Sequence, residues 1–424
     1  MTVTIFSASR SAVTFAALCA AAGGGAAAPR DTWRFDFTDA PSAASIAVRP
    51  GMAYSSTRGF GFEPSPAPGS QPFFFSADVP EGNHAVTVTF GPVREPASAT
   101  VKAELRRLML ERVPVPAGAT VTRTFIVNTR TPRIAGGGSV DLKAPRETVQ
   151  EAWNWDTRLT LEVHGPVRTI EVRPARVPTV YLLGDSTVCD QPQEPYASWG
   201  QMLPRFFQPS IAVANHGESG ETYRDALARR RLDKIVGLLR PGDTVLLQFG
   251  HNDQKQLKQG SGSPATYRAE LRVHVEAIRA RGGVPVVLSP MERRAFDADG
   301  KVVGSLADYA AAAAQAAREL GVPFIDLNAA SKPLYEALGP EGSKAAFAQP
   351  APGKVDNTHH NNYGAYQLAK AVVAGMRAAG VPAAAHVIDG FTFDPARPDP
   401  LDAFAVPASP NFTNERPLGD ETHP

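Results

Sequence analysis

The chain has 424 residues, of which 43% are apolar and 20% are charged. These are the proportions of an ordinary globular protein, so they exclude a mainly disordered chain, and the length indicates about two to three domains. The 43 Lys and Arg residues balance the 42 Asp and Glu residues, which removes the overall charge that would favour nucleic acid or an anionic membrane as a partner. With only two cysteines, a disulfide framework and a multi-cysteine zinc site are excluded.

Residues 1–28 have the pattern of a secretory signal peptide. Arg10 precedes the apolar run 12–18, and small residues follow as far as Ala28. The apolar run is too short to span a membrane, and no later stretch reaches about 18 uninterrupted apolar residues. We therefore expect an exported protein, periplasmic or secreted, without a membrane span.

Residues 31–176 are predicted to form an antiparallel β-sandwich. Apolar residues alternate with polar ones around Phe35, Val88, Phe125, Leu161 and Ile170, and turns rich in Gly, Pro and Ser separate these segments. Strands without intervening helices favour two packed antiparallel sheets.

The pattern changes at about residue 177. Apolar segments that are predicted as strands now alternate with helical segments up to about residue 385. The predicted strands are 180–183, 211–214, 245–249, 284–288 and 324–327, and the helices follow Pro264, span 306–320 and begin near Tyr363. This alternation predicts a parallel sheet with helices on both faces and a site at the carboxyl ends of its strands. Residues 386–424 are predicted to form an extended tail.

Several common catalytic motifs are missing from the sequence. It has no Walker A motif, no G-x-G-x-x-G, no H-E-x-x-H and no G-x-S-x-G. The commonest NTPases, dinucleotide-dependent dehydrogenases, zinc proteases and α/β-hydrolases are therefore disfavoured.

Polar residues suited to acyl transfer follow three of the predicted strands. Ser186 follows the first strand, Gly220 lies in the loop after the second, and Asn252 follows the third. Backbone N–H groups and an Asn amide are the donors that stabilise an oxyanion. Asp356 and His359 are three residues apart, so they could lie on one side of a helical turn, where the carboxylate would orient the imidazole. Taken singly, each of these residues is also explained by ordinary cap or turn chemistry.

Taken together, these motifs resemble the four blocks of the SGNH/GDSL hydrolase family. The segments 183–188, 215–220, 249–253 and 358–361 are similar to those of its rhamnogalacturonan acetylesterase subgroup. The resemblance implies a flavodoxin-like three-layer α/β/α hydrolase domain over residues 177–385. The preceding sandwich resembles the galactose-binding-like accessory domain of some bacterial members.

The resemblance also implies a role for each site residue. Ser186 is the nucleophile, His359 the base and Asp356 its orienting carboxylate. The N–H groups of Ser186 and Gly220 and the side-chain amide of Asn252 form the oxyanion hole. It implies neither a metal nor an organic cofactor.

The resemblance implies an acetylated polysaccharide or oligosaccharide as the substrate. It implies that the enzyme removes O-acetyl groups from plant cell-wall pectin. Alternatives are an esterase of the same fold acting on acetylated xylan or a lipid, and a carbohydrate-binding protein with an inactive hydrolase domain. The sandwich holds none of the four blocks, so we expect it to serve polysaccharide binding and not the chemistry. The oligomeric state is left open.

Four aromatic residues have two possible interpretations. Trp153 and Trp155 are two apart, so both could face one side of a strand and stack on sugar rings, or they could pack at a domain interface. Tyr196 and Trp199 follow the nucleophile and could line the pocket or pack in the core.

Other polar residues near the motifs also have alternatives. The run Arg229–Arg230–Arg231 is predicted to be a solvated helix face, with a grip on pectin carboxylates as the alternative. Cys189 has no base paired with it in the sequence and is predicted to pack as a small apolar residue. His360 falls outside the Asp-x-x-His spacing and is expected to line the site or to lie in the following turn.

Overall fold

The computed structural model describes residues 32–64 and 71–410. The predicted signal peptide, residues 1–28, lies outside the described residues. None of the described helices combines the length and apolar character that crossing a bilayer requires.

The first part of the described chain is a sandwich of two five-stranded sheets. Its strands are β1 Trp33–Asp36, β2 Ile46–Ala47, β3 Phe60–Phe62, β4 Phe73–Asp78, β5 Gly82–Phe90, β6 Ala97–Ala103, β7 Arg107–Val115, β8 Val121–Thr129, β9 Arg158–His164 and β10 Val167–Pro174. One sheet has the order β2-β1-β10-β5-β8 and the other β3-β4-β9-β6-β7. The pairs are antiparallel except that β2 runs parallel to β1. The predicted antiparallel sandwich is confirmed.

The inward-facing residues of both sheets form a single apolar core. Trp33 and Phe35 of β1 pack with Phe60 and Phe75 of the other sheet, with ring centroids 4.9–5.6 Å apart. The alternation of buried and exposed residues along the strands produces this arrangement because successive side chains point to opposite faces.

The second part is a parallel sheet with helices on both sides. Its elements are β11 Thr179–Gly184, α1 Trp199–Met202, β12 Ala212–Asn215, α2 Tyr223–Ala228, α3 Arg231–Leu238, β13 Thr244–Gln248, α4 His251–Gln256, α5 Pro264–Ala280, β14 Val284–Leu288, α6 Ala307–Leu320, β15 Phe324–Ile325, α7 Leu327–Gly342 and α8 Asn362–Ala378. The strand order β12-β11-β13-β14-β15, with every pair parallel, is flavodoxin-like. The predicted fold class is confirmed.

The central strands bury side chains on both faces. Leu182 and Leu246 pack toward α1, α7 and α8, whereas Leu183 and Leu247 pack toward α2, α3, α5 and α6. Strands buried on both sides are apolar throughout, which is why they appear in the sequence as short continuous apolar runs.

Two predicted elements differ in the structure. The last strand ends at Ile325, not at Leu327, because Asp326 caps α7 by accepting a hydrogen bond from Ala329 N at 3.0 Å. Within the described residues, the predicted tail begins inside a 3₁₀ turn, Pro382–His386, and contains a second one, Leu401–Ala403, before residue 410. Its far end binds the sandwich, where Lys102 Nζ donates to the carbonyl of Pro407 at 2.7 Å.

The turn between β6 and β7 joins the sandwich to the hydrolase part. Leu108 of β7 belongs to the apolar core of the hydrolase sheet. Arg106 donates to the carbonyls of Gln191 and Tyr196 at 3.2 and 2.7 Å, and Arg107 Nε donates to Asp190 at 2.7 Å. The interface is therefore buried and rich in charge-assisted hydrogen bonds, which are the stronger kind.

Candidate active site

Ser186 lies in a tight turn directly after β11. Asp185 fixes this turn, because its Oδ1 accepts hydrogen bonds from the N–H and the hydroxyl of Thr187 at 2.9 and 2.7 Å. The carbonyl of Ser186 accepts from Gln191 Nε2 at 2.6 Å. Gly184 must lack a side chain here, since an added Cβ would lie 2.5 Å from the carbonyl of Gln248. The turn is thus held on both sides of the serine.

Asp356 and His359 lie in a bend before α8, and the predicted helical turn is wrong. Asp356 Oδ1 accepts from the N–H groups of Thr358 and His359 at 2.8 and 2.9 Å. The short carboxylate thereby replaces the backbone hydrogen bonds of a helical turn. Its other oxygen, Oδ2, lies 3.0 Å from His359 Nδ1.

The structure brings the predicted nucleophile and base together. His359 Nε2 lies 2.7 Å from Ser186 Oγ, across 173 residues of sequence. With Asp356 accepting at Nδ1, the imidazole carries its proton there and presents Nε2 as the acceptor of the serine proton. All three side chains are buried, with Asp356 the most exposed at 9%.

The two further residues predicted for the oxyanion hole lie on the loops after β12 and β13. Gly220 has φ of 74°, a left-handed conformation that glycine adopts without strain. Asn252 lies in the first turn of α4, and its Nδ2 donates to the carbonyl of Glu221 at 3.1 Å. A side-chain amide has two N–H groups, so one holds Asn252 in place and the other is available for an oxyanion.

His251 is a site neighbour that the motif analysis did not single out. Its Nδ1 lies 3.3 Å from Asp185 Oδ2, and both side chains are buried. Burial acts to raise the pKa of Asp185, but the charge and hydrogen bond of His251, together with those from Thr187, hold that pKa below its usual value. The pair ties the nucleophile turn to the start of α4, which carries Asn252. Asp185 directly precedes Ser186 and His251 directly precedes Asn252, and that adjacency is the available signal.

Of the two aromatics after the nucleophile, one contacts the site. The Tyr196 ring packs edge-on against His359, with centroids 6.0 Å apart. Trp199 is core, and its Nε1 donates to Gln248 at 2.8 Å. Gln248 in turn donates to the hydroxyl of Thr187 at 3.0 Å, so Trp199 stabilises the turn that carries Ser186 through Gln248.

Trp153 and Trp155 do not lie on a strand, so the strand placement is wrong. They occupy a 3₁₀ turn, Ala152–Asn154, and the residue after it. Trp153 packs on Phe74, and the buried Trp155 stacks under the guanidinium of Arg130 at 4.4 Å. Trp155 lies at the interface, because its ring centroid is 6.1 Å from that of His216, whereas Trp153 packs on the sandwich strand β4.

The run Arg229–Arg231 is not a uniformly solvated face. Arg231 is fully buried and pairs with Glu147 at 2.6 Å and Glu221 at 2.7 Å. Arg229 and Arg230 are partly exposed and pair with Asp141 and Asp233. The sequence pattern does not indicate the burial of Arg231, because its partner Glu147 is 84 residues away in the chain.

Cys189 and His360 are both buried. Burial raises the pKa of the Cys189 thiol well above its usual value, which disfavours a thiolate nucleophile. His360 neither lines the site nor lies in the turn after it. Its ring packs 4.3 Å from that of Phe347, its Nε2 lies 2.8 Å from Tyr335 Oη, and burial lowers its pKa to about 3.

One acidic cluster among the described residues has the spacing of a metal site. Carboxylate oxygens of Glu147, Glu151 and Glu218 lie within 4.8 Å of one another. Arg146 Nε lies 2.6 Å from Glu151 and 3.0 Å from Glu218, so a cation already balances this cluster.

Comparison with known proteins identifies the family. A model of the GDSL-like lipase/acylhydrolase family matches residues 182–368. Rhamnogalacturonan acetylesterase RhgT of Bacillus subtilis (strain 168) is 38% identical over 219 aligned positions, and the match covers 49% of this chain and 94% of that protein. The chain belongs to the GDSL-like lipase/acylhydrolase family. It is a carboxylic ester hydrolase.

Two further proteins are similar to this chain. A rhamnogalacturonan acetylesterase of Emericella nidulans is 25% identical over 230 residues, covering 48% of this chain and 86% of its own. The crystal structure of YxiM of Bacillus subtilis covers 83% of this chain and 99% of its own, at 24% identity and a TM-score of 0.48.

Proposed function

We propose that this GDSL-family hydrolase removes O-acetyl groups from the pectin polysaccharide rhamnogalacturonan. The observation that carries the chemistry is the 2.7 Å approach of His359 Nε2 to Ser186 Oγ, with Asp356 on the opposite ring nitrogen. The substrate class is supported by the relatives named rhamnogalacturonan acetylesterase.

Acylation begins at the serine hydroxyl. Its pKa lies far above neutrality, so it needs a base at the moment of attack. As Ser186 Oγ bonds to the acetyl carbonyl carbon, its proton passes to His359 Nε2, and Asp356 stabilises the imidazolium that forms. The carbonyl oxygen becomes an oxyanion, which accepts hydrogen bonds from Ser186 N, Gly220 N and Asn252 Nδ2.

Collapse of this intermediate releases the sugar. His359 returns the proton to the departing sugar oxygen, and the acetyl group stays on Ser186. A water molecule then loses a proton to His359 as it attacks the acetyl carbonyl, and a second tetrahedral intermediate collapses to acetate and free Ser186. Each step uses the same donors and the same base.

The substrate proposal is tested by measuring acetate release from acetylated rhamnogalacturonan, acetylated xylan and an aryl acetate, with Ser186→Ala as the control. We expect hydrolysis of the aryl acetate and preference for rhamnogalacturonan over xylan in kcat/KM. Preference for xylan, or hydrolysis of the aryl acetate alone, would overturn the assignment to pectin while leaving the esterase chemistry intact.

Export is a further part of this proposal. Its support is the pattern of residues 1–28, and acetylated cell-wall polymers lie outside the cell that degrades them. Determination of the N-terminal residue of the protein from culture fluid or periplasm tests it. Recovery of the uncleaved chain in the cytoplasm would contradict it.

A further inference from the structure

The peptide bond between Ser219 and Gly220 carries the Gly220 N–H of the proposed oxyanion hole. In a trans peptide, the C=O and N–H groups point in opposite directions. A group that binds the Ser219 carbonyl therefore fixes the direction of the Gly220 N–H. Glycine's conformational freedom makes such a restraint important, because rotation of this peptide would remove the donor from the site.

Lys143 binds that carbonyl. Its Nζ donates to the oxygen of Ser219 and lies 3.5 Å from Glu221 and 4.0 Å from Glu218. Its side chain is only 13% exposed, so water competes little for the ammonium. A positive charge on the carbonyl also polarises the peptide and strengthens its N–H as a donor.

Arg146 binds the same loop and reaches the nucleophile turn. Its Nη2 donates to Ser219 Oγ at 3.0 Å and to Gln191 Oε1 at 3.4 Å. Gln191 donates from its Nε2 to the carbonyl of Ser186 at 2.6 Å. One guanidinium thus connects the oxyanion loop to the backbone of the proposed nucleophile.

Both cations come from the segment between β8 and β9 of the sandwich. This segment is anchored, because the N–H of Lys143 donates to Glu147 at 2.8 Å and Glu147 forms the buried pair with Arg231 of α3. The sandwich side of the interface therefore supplies charged groups at fixed positions behind the active site.

We propose that Lys143 is a positioning residue for the oxyanion hole, and that it orients the Gly220 N–H by binding the carbonyl of Ser219. The inference rests on the proposed function, since it requires Gly220 to be an oxyanion donor. It assigns to the sandwich part of the chain a role in the chemistry, in addition to any role in binding polymer.

The test compares Lys143→Met, which keeps the apolar stem, with Lys143→Arg, which keeps a charged donor, in the full chain. On an aryl acetate we expect Lys143→Met to lower kcat roughly 10- to 100-fold, somewhat less than the loss of a whole donor, with KM nearly unchanged. Lys143→Arg should recover most of that loss. Reaction with a fluorophosphonate, which also develops an oxyanion, should slow by a similar factor.

Lys234→Met is the matched control. It removes another buried cation, whose hydrogen bonds go to Glu81 and to the carbonyl of Arg133, and it should leave kcat within about twofold of the wild-type value. If Lys143→Met does not fold, Lys143→Leu, which also lacks a donor, takes its place with the same expectation. A folded Lys143→Met variant, or its replacement, with wild-type kcat, or an equal loss in Lys234→Met, would overturn the inference.

These failures are distinguishable from failure of the proposed function. Ser186→Ala must abolish both turnover and fluorophosphonate labelling if the function is right. If it does so while Lys143→Met retains full kcat, only the positioning role is wrong. If Ser186→Ala keeps its activity, the proposed function itself is wrong.

Discussion

Asn252 is held by one of its two amide N–H groups and has the other available for the transition state. Replacement by Ala should lower kcat by roughly 10²–10³, the usual cost of one oxyanion donor, with little change in KM. Asn252→Asp is nearly isosteric but places a negative charge where the oxyanion forms, so it should be at least as impaired. Steady-state kinetics on an aryl acetate measure both. A defect confined to KM would mean that Asn252 binds substrate instead.

Asp253, the next residue, is buried, and neither of its carboxylate oxygens has a hydrogen-bond partner among the described residues. Burial raises its pKa well above the usual 3.8. The folded state therefore holds this proton more tightly than the unfolded state, and stability falls as pH rises from about 4 through the folded pKa.

Asp253→Asn should remove this loss, because an amide does not ionise. We expect thermal unfolding to show a higher Tm for the variant at pH 8 and a smaller difference, or none, at pH 4. A variant that is destabilised equally at both pH values would show that the carboxyl group makes a favourable interaction in the folded protein.

At the scale of elements, the close packing of α8 determines where His359 lies. Gly364 in its first turn approaches the segment before the site, and an added Cβ would lie 2.0 Å from the carbonyl oxygen of Ala346. We expect Gly364→Ala to reduce the free energy of unfolding by about 1–3 kcal/mol and to lower activity, since the helix start must move.

Gly342 in α7 provides the control for that substitution. It has a helical φ of −64°, and nothing lies within 4 Å of an added Cβ. Gly342→Ala should be neutral or stabilising by up to about 1 kcal/mol. Urea unfolding measures both variants, and equal stability of the two would contradict the close-packing argument.

The sequence predicts elements well where a local pattern determines them. The buried strand β14 matches its predicted bounds, and α6 ends at Gly321 as expected, because apolar runs and a C-terminal glycine act locally. The three-residue spacing of Asp356 and His359 is compatible with a helical turn and also with the bend that the structure shows. Only the hydrogen bonds from Thr358 N and His359 N distinguish them.

Long-range partners account for most of what sequence reasoning missed. Arg231 lies in a run of three arginines that is typical of a solvated helix face, yet it is buried and forms ion pairs with Glu147 and Glu221. Trp155 lies under Arg130 and not on a strand. Such contacts join segments far apart in sequence, and neither periodicity nor spacing carries information about them. Ser186, Gly220 and Asn252 could be predicted because each lies within a few residues of the end of a predicted strand.

On the scale of the whole molecule, the sandwich and the hydrolase part share structure. Leu108 of β7 is in the hydrolase core, and Arg107 pairs with Asp190, which also accepts from Asn215. The expectation that residues 31–176 serve only polymer binding does not account for these contacts. We predict that a chain starting near Arg176 is less stable than the full chain, because it exposes the Leu108 contact surface and leaves Asp190 without its cation.

Thermal unfolding and aryl acetate hydrolysis of the two chains test this prediction. Residual activity in the truncated chain should be lower than in the full chain even at temperatures where it stays folded. RhgT matches 49% of this chain with 94% of its own length, so most of the remainder has no counterpart there. Equal Tm and equal kcat would mean that the sandwich is a separable accessory domain after all.

The acyl-enzyme is the most direct test of the triad of Ser186, His359 and Asp356. The enzyme is mixed with an excess of aryl acetate, quenched in acid during turnover and digested for mass spectrometry. We predict one acetyl group on the peptide that contains Ser186, and its absence in Ser186→Ala. Full turnover by Ser186→Ala, or an acetyl group on another residue of the wild-type enzyme during turnover, would contradict it.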